Sequence, residues 1–566
     1  MLKNLLLLLL AATGARLMAQ TWPNCDLPPA SYLLNGNNVT ALIQNNGMLF
    51  NSTDTAAGFR VYLPSADAET HTLRRASIWI GGLDPGGNMF LATGGDHGDS
   101  SVMRFKPGKI NVATQTPYPG SCENFNNIWR VERDAIQRHI LDLLDNGVID
   151  HPEPSLMAWP GRGNPHFEAY NGFPFPSDTP PAMMAPFWDA DGDRMYNPLR
   201  GDYPSAGHFH LNYIIFDAIT WCAYQAYPYE IAQTAYVIRC SNDAPLNNSV
   251  IFDFAILNQS YEFMDSIFVG LHTQFELGCY GDDYVGTALD MNAYFAYNAM
   301  PPLGAAKCHC DAPALCAHLP VQSVKFIDVN MDHTIAYGTT AEGAYFPHPM
   351  SPGLNMYELY NLLNGHWRSG YPVRASGNGF LSVAVPTDHI YTGRPGVPGQ
   401  WSMLEEALQS GNMQMLGSTK IGTFIPGEVF RFSVAYTSHY SMGLPDPWLG
   451  QYDVMLNELP QVDDWFWFPF DICPRVVLSG TNEKDSPAPL LVFPNPAGES
   501  LDIQFGEEGG HRKYALYDLS GRLLASGVFQ AGARASLDVS KLRPGVYWME
   551  IREATGIRRH VRWCKI

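Results

Sequence analysis

"VFPNPAGESLDIQF", residues 492–505, opens a C-terminal region of short apolar runs that are broken by Gly turns. Ser520-Gly521 and Pro544-Gly545 mark two of these turns. The runs that predict strands are 501–505, 514–519, 523–528, 535–539, 545–551 and 558–563. This spacing of short strands is typical of a small antiparallel, Ig-like β-sandwich.

A compositional break separates this region from the rest of the chain. Residues 479–489 contain two prolines and carry no apolar periodicity, which predicts a linker. We therefore expect a body at residues 20–478 and a C-terminal domain at residues 490–566. The chain has 566 residues, so the body has room for two subdomains.

The N-terminus has the pattern of a secretory signal peptide. Lys3 precedes an unbroken apolar run, Leu5 to Leu10, and small residues with candidate cleavage points after Ala15 and Ala19 follow. We therefore interpret residues 1–19 as a signal peptide and expect an exported protein. No later segment reaches the roughly 20 apolar residues of a transmembrane helix. Cys25 follows Trp-Pro-Asn, which is not a lipid-anchor context.

Composition favours a turn-rich β protein. Only 16% of residues are charged, whereas aromatic residues make up 12% and the chain contains 51 Gly and 43 Pro. The formal net charge is −20, and an acidic body repels phosphate backbones, so we expect no nucleic-acid partner. Ten cysteines in an exported chain predict disulfides, whose connectivity the sequence does not give.

The body is predicted to be mainly β, with large antiparallel sheets, long loops and few helices. Residues 233–239, 250–257 and 266–275 predict an antiparallel meander, and residues 421–424 and 429–436 predict a hairpin. Apolar spacing predicts one helix over 131–145 and a second over 356–363.

The C-terminal region resembles a known export signal. "VFPNPAGESLDIQF", "YALYDLSGRLL" and "LDVSKLRPGVYWMEI" occur in the order found in the type A C-terminal sorting domain of the Bacteroidetes type IX (Por) secretion system. The resemblance implies that the translocon and sorting machinery are partners, and that the protein reaches the cell surface or is released. It assigns the sorting signal to Pro494, Asn495, Pro496, Gly521, Pro544, Gly545 and Tyr547. Trp563-Cys564 departs from the family's usual terminal strand.

The body also resembles a family of large secreted proteins of the same bacterial phylum. The strings that carry this resemblance are "ASIWIGGLDPGGNMFLA", "FWDADGDRMYNPLRGDYP", "SVIFDFAILNQS", "DDYVGTALDMNAYFAYN", "YNLLNGHWRSGYPV" and "IGTFIPGEVFRFSVAY". They cover most of the body in order, but the resemblance implies no activity.

A D-x-D-G-D loop is the best candidate for a metal site. Carboxylates at alternate positions with a Gly between them can surround one hard cation, and calcium takes six to eight oxygen ligands. The predicted ligands are Asp189, Asp191, Asp193, the carbonyl of Met195, and Asp202. The loop is not an EF-hand, because Arg194 and Arg200 occupy positions that need Gly and Glu. A solvated turn without a cation is the alternative.

Other groups of polar residues are weaker candidates. Glu276, Asp282 and Asp283 could supply the acid and base of a glycosidase. Asp282 and Asp283 are adjacent on an extended chain and are expected to point to opposite faces, so we favour a loop cation site or a solvated turn. His208 and His210 have the spacing of some zinc ligands, and packing histidines are the favoured alternative. Cys308, Cys310 and Cys316 with two nearby histidines form either a zinc site or, as we favour, a disulfide-pinned loop.

Aromatic residues beside polar loops suggest contact with sugars, because flat rings stack on apolar sugar faces. The candidates are Trp367, Tyr371, Trp401, Trp448, Trp465 and Trp467. In "DDWFWF", residues 463–468, the alternation favours packing of one row into a core.

The sequence therefore predicts a secreted or cell-surface protein of structural, adhesive or ligand-binding character with calcium-stabilised loops, and a surface glycan as a candidate partner. The competing hypothesis is a hydrolase of polysaccharide with acids among Asp189, Asp191, Asp282 and Asp283. No catalytic motif selects the second hypothesis.

Overall fold

The computed structural model describes residues 27–51, 58–95, 102–111, 113–114, 116–205, 214–223, 229–239, 245–278, 281–299, 319–340, 355–380, 382–444, 449–467, 491–493, 498–509, 511–518, 523–543, 545–552 and 558–565. The chain forms two compact units, Met1–Val476 and Val477–Ile566. The predicted signal peptide and linker lie outside the described residues.

The first unit, the body, is built mainly from strands. They are β1 (Ser31–Leu34), β2 (Val39–Gln44), β3 (Met48–Asn51), β4 (Phe59–Leu63), β5 (Ala68–Leu83), β6 (Met89–Thr93), β7 (Met103–Arg104), β8 (Lys106–Pro107), β9 (Ile110–Asn111), β10 (Thr116–Pro117), β11 (Trp129–Glu132), β12 (Phe187–Trp188), β13 (Tyr203–Pro204), β14 (Ile214–Ala223), β15 (Tyr229–Ile238), β16 (Ser249–Asn258), β17 (Met264–Phe275), β18 (Asp283–Ala288), β19 (Ala293–Asn298), β20 (Val321–Phe326), β21 (His333–Thr340), β22 (Gly411–Phe424) and β23 (Val429–His439).

Helices are fewer and mostly short. They are α1 (Ser121–Phe125), α2 (Arg133–Asn146), α3 (Pro154–Met157), α4 (Phe167–Asn171), α5 (Met356–Leu363) and α6 (Gly450–Trp467). Short 3-10 turns lie at Pro181–Met183, Pro198–Arg200, Pro245–Asn248 and Leu289–Met291. The predominance of strands confirms the predicted fold class.

The long strands form two layers of one connected antiparallel network. In the first layer β5 pairs with β17 and β17 pairs with β22. The second layer runs β14–β15–β16–β23–β20–β19–β18. The pair between Asp283 and Gly411 joins the two layers at a corner.

The main core lies between these layers. Phe50 of β3 packs edge-on against Phe252 and Tyr436 of the second layer, with ring centroids 5.5 and 4.9 Å apart. The hydroxyls of Thr273 and Tyr294 are 2.8 Å apart across the same interior. Burial of apolar side chains from both layers is the main source of stability of such a sandwich.

A segment of short helices and turns, residues 121–204, covers the outer face of β15 and β16, and we call it the cap. Its side chains form a second apolar cluster with the strands; the cluster includes Trp129, Leu156, Trp159, Phe167, Tyr196, Ala232, Ala255 and Leu257. Cys122 of α1 is disulfide-bonded, in agreement with an oxidising compartment. The cap and the sheet face together enclose the candidate site.

Two predicted strand pairings are wrong. β15 and β16 pair as expected, but β17 pairs with β5 and β22 in the other layer. Likewise β22 and β23, which the sequence predicted as a hairpin, pair with different strands on each side. In both cases the connecting loop carries the chain from one layer to the other, which strand periodicity does not reveal.

The helix predictions are close to the structure, with one exception. The helix over 131–145 is α2 preceded by β11, and the helix over 356–363 is α5. Residues 463–467, predicted as an alternating segment, belong instead to α6, where Phe466 is buried and Asp463 lies 3.0 Å from Lys325 of β20.

The second unit, the tail, is a two-sheet antiparallel sandwich, as predicted. Its strands are β24 (Leu491–Phe493), β25 (Ser500–Gly509), β26 (Arg512–Asp518), β27 (Leu523–Phe529), β28 (Gly532–Asp538), β29 (Gly545–Arg552) and β30 (Arg558–Lys565). One sheet has the order β24–β25–β28 and the other β27–β26–β29–β30. Leu501, Ile503, Leu516, Met549 and Ile551 form its buried core.

Candidate functional site

The D-x-D-G-D loop is part of the cap. β12 and β13 form a two-residue antiparallel pair, and residues 189–202 form the loop between them. Asp189, Asp191 and Asp202 each place one carboxylate oxygen within 4.8 Å of the others. Three of the five predicted ligands are therefore together.

The loop's own backbone amides orient two of these carboxylates. Both oxygens of Asp189 accept bonds of 2.8 Å, from the N–H groups of Gly192 and Arg194. Both oxygens of Asp202 also accept bonds of 2.8 Å, from Ala190 and Asn197. Arg194 adopts a φ of 63°, a conformation that bends the chain back around Asp189.

Asp202 is the least exposed of the three, with no accessible surface. Burial raises the pKa of its carboxyl, the amide bonds oppose the rise, and the charges of Asp189 and Asp191 add to it. A cation among these three carboxylates would remove that repulsion.

Arg200 lies beside the other acids of the loop. Its Nη1 atom is 3.2 Å from Asp191 Oδ2 and 3.0 Å from Asp193 Oδ2. Asp193 does not belong to the group of three, and its Oδ1 accepts the N–H of Met195 at 2.7 Å. The role of all five residues as metal ligands stays a prediction, and Asp193 and the Met195 carbonyl are not part of the group of three.

A cavity of about 380 Å³ with charged and apolar lining residues lies next to this loop, between the cap and the outer face of the sheet. Strand register sets its floor, because Asp253 of β16 is the partner of Thr234 on one side and of Ser433 on the other. Ala232 and Ala255 form the next pair on the same face, two positions further along the strands. Their small side chains leave room above the sheet.

Two carboxylates meet on this floor. Asp328 accepts the N–H of Ser433 at 2.7 Å and its hydroxyl at 3.2 Å. Asp253 accepts a long bond from the Tyr236 hydroxyl at 3.4 Å. Burial raises the pKa of Asp253 to about 7, the Ser433 hydroxyl opposes the rise, Asp328 adds to it and Arg431 opposes it.

The rim of the cavity is basic and its other wall is apolar. Arg162, Arg194 and Arg431 line the cavity together with Asp189, so the D-x-D-G-D loop and the cavity share residues. Arg431 donates a hydrogen bond to the carbonyl of Ala182, which ties the sheet to the cap. The apolar wall comes from Pro181, Met184, Pro186 and Phe187.

The sequence did not predict that Asp253, Asp328 and Arg431 form one site. These residues are distant in sequence, and only strand register brings them together. One signal was present: Asp253 is the single charged residue in the apolar strand SVIFDFAILN.

Asp282 and Asp283 lie elsewhere, at the start of β18, and neither lines this cavity. Burial raises the pKa of both, and the charge of Asp282 adds to the rise at Asp283. Asp283 has no accessible surface and accepts the N–H of Leu277 at 3.3 Å. These two acids therefore do not combine with Asp189 or Asp191 in one site.

The aromatic residues predicted to contact sugars differ in burial. Trp367 is buried and donates to the carbonyl of Gly379, and half-buried Trp401 donates to that of Gly377, so both hold a loop together. Tyr371 is exposed. Trp448, His208, His210 and the Cys308–Cys316 group lie outside the described residues.

Of the predicted sorting residues, the structure describes Gly545 and Tyr547. Gly545 begins β29 and pairs with Lys565 of the terminal strand. Tyr547 is buried and donates to the carbonyl of Arg543 at 2.6 Å, which fixes the turn before the strand. Pro494, Asn495, Pro496, Gly521 and Pro544 lie outside the described residues.

Residues 491–561 match the family of secretion system C-terminal sorting domains. Among solved structures, the chain is similar to a DUF3244 family protein with an immunoglobulin-like β-sandwich fold from Bacteroides vulgatus, at 14% identity and a TM-score of 0.13, over 14% of this chain and 84% of that one. It is also similar to a polysaccharide lyase, at 8% identity and a TM-score of 0.18, over 63% of this chain and 35% of that one. Neither score supports a further argument. The comparison with curated proteins gives no match.

The fold and these residues define an exported, two-unit β protein whose last unit is a C-terminal sorting domain. More particularly, the tail is the sorting domain of a type IX (Por) secretion cargo, and the chain is delivered to the cell surface or the extracellular space. Among the described residues, no helix has the length and hydropathy needed to cross a membrane.

Proposed function

We propose that the body is a non-enzymatic, ligand-binding module of the cell surface, with adhesive or structural character, and that calcium stabilises its cap loop. The observation that carries the proposal is the convergence of Asp189, Asp191 and Asp202 within 4.8 Å, in a loop that also borders a cavity with charged and apolar lining residues. A surface glycan is the class of ligand that we propose for the module.

Calcium suits the loop for two physical reasons. Its ligands in proteins are oxygens from carboxylates and carbonyls, and a turn-rich loop supplies several of them. Burial raises the pKa of the Asp202 carboxyl and the charges of Asp189 and Asp191 add to the rise. A divalent cation would replace the repulsion among the three acids by attraction. The cation would thus fix the conformation of the cap loop.

The test is the melting temperature of the full chain with added calcium and with a chelator. We expect calcium to raise it, because a ligand that binds only the folded state stabilises that state, by about 2.7 kcal/mol at a hundred times its Kd. Asp191→Asn should abolish the rise. Arg200→Gln should enlarge it, since the guanidinium competes with the cation for Asp191.

Asp290→Asn is the matched control, because Asp290 is an exposed acid outside the cap. It should leave the calcium response of the native chain unchanged. A melting temperature that is equal with calcium and with chelator would refute the calcium part of the proposal.

A further inference from the structure

We propose that the cavity between the cap and the sheet binds an acidic saccharide, a hexuronic acid unit whose ring hydroxyls face Asp253 and Asp328 and whose carboxylate faces the arginine rim. This inference rests on the ligand-binding part of the proposed function, and it adds the place of the site and the chemical class of the ligand.

The volume of the cavity limits the size of the ligand. A volume of about 380 Å³ falls at the low end of the roughly 300–1,000 Å³ of ligand cavities. A monosaccharide or disaccharide unit fits this space, whereas a long unbranched chain would have to extend out of it.

The floor presents oxygen acceptors in a row. Asp253 lies between Thr234 and Ser433 in strand register, and Asp328 is held at Ser433 by two hydrogen bonds. Carboxylates accept hydrogen bonds from neutral hydroxyls, and several hydroxyls on one ring match several acceptors on neighbouring strands.

The wall opposite the polar groups is apolar. Pro181, Met184 and Pro186 line it, and half-buried Phe187 adds an aromatic ring. A pyranose has the same division, because its C–H faces are apolar while its edge carries hydroxyls, and aromatic rings stack on such faces.

The arginines at the rim of the cavity favour a ligand that carries a carboxylate. Arg162 and Arg194 are exposed, and Arg431 lies close enough to Asp253 for their charges to interact. Guanidinium groups bind carboxylates in bidentate geometry. With three arginines against Asp189, Asp253 and Asp328, the site has no excess of negative charge to repel an anionic sugar.

The experiment is calorimetric titration of the full chain, at fixed calcium concentration, with disaccharides that contain glucuronate or galacturonate. The neutral counterparts, which carry a hydroxymethyl group in place of the carboxylate, are titrated in parallel. We expect an acidic disaccharide to bind at least roughly tenfold more tightly than its neutral counterpart, the size of one lost charged hydrogen bond.

Variants then place the binding. Arg162→Gln should remove most of the preference for the acidic sugar and leave the neutral sugar unaffected, while Asp253→Asn should weaken both. Arg239→Gln is the matched control, because Arg239 is an exposed arginine of the same sheet, just beyond the end of β15 and outside the cavity lining. Arg162 is on the surface, so its substitution does not threaten folding, and a melting curve checks this.

Equal binding of acidic and neutral sugars, an unchanged preference in Arg162→Gln, or no binding of any disaccharide to the folded chain would each overturn the inference. Tight binding of free amino acids in place of sugars would also overturn it. Equal binding of acidic and neutral sugars would overturn the inference and leave the ligand-binding proposal standing, whereas no binding of any disaccharide would count against both. None of these outcomes touches the calcium response.

Discussion

At the scale of single residues, the cavity between the cap and the sheet has a few polar groups among apolar residues. Asp253 is placed on a strand of buried apolar residues, and its neighbours supply only a partial counter-charge. Buried polar groups cost stability unless they are paired, so such residues are frequent at functional sites.

The raised pKa of Asp253 makes stability depend on pH. The folded state keeps the proton up to about pH 7, whereas the unfolded state releases it near the usual value of 3.8. Between these values the folded state binds more protons, so Asp253 lowers the stability as pH rises through this window. The stability that the protonated Asp253 contributes is fully present below pH 3.8, falls as pH rises, and is lost above about pH 7.

We therefore expect Asp253→Asn to stabilise the chain more at pH 8 than at pH 5, by up to about 3 kcal/mol of unfolding free energy. Urea unfolding at the two pH values measures this difference. The exposed Asp290→Asn should show none. An equal effect of Asp253→Asn at both pH values would show that the carboxyl does not titrate in this window.

At the scale of elements, the cap loop depends on its contact with α2. Gly201 has a φ of 96°, and a Cβ added there would lie 2.7 Å from Leu143 Cδ2. Gly172 has a similar φ of 80°, but a Cβ there would meet nothing within 4 Å. The two glycines thus share the backbone requirement and differ in packing.

Gly201→Ala should therefore destabilise the chain more than Gly172→Ala. The left-handed conformation costs both variants about 1 kcal/mol. The contact with Leu143 adds roughly 0.5–1.5 kcal/mol to the first, because the terminal methyl of this half-buried side chain must shift. Thermal unfolding of both variants measures the difference, and Leu143→Ala in the Gly201→Ala background should recover part of it. Equal losses in the two glycine variants would exclude packing of the loop on α2.

Elements that depend on local sequence were predictable. α5 begins and ends where its apolar spacing predicts, and the Asn355 side chain accepts the N–H of Glu358 at its start. The tail strands were also predicted to within a few residues, because Gly and Pro mark their turns.

Arrangements that depend on distant contacts were not predictable. The layer that β17 or β23 joins is decided by packing after the loop, and the same strand pattern fits either layer. Asp253 and Asp328 meet only because of strand register, which a single residue of slip would change. The aspartates of the cap loop were accessible to prediction, because their ligand spacing is local.

At the scale of the whole molecule, the chain divides its tasks between two units. The body holds the candidate sites, and the tail matches the sorting family over residues 491–561. Because the tail has its own core and its own sheets, we expect its removal to leave the body folded.

The location of a chain that lacks residues 490–566 shows whether the tail directs export. Protease digestion of intact cells, followed by fractionation, is compared for this deletion and for the full chain in the same host. We expect the full chain to be cleaved at the surface, and the shortened chain to be protected and recovered from the periplasm. Surface delivery of the shortened chain at the level of the full chain would contradict this expectation.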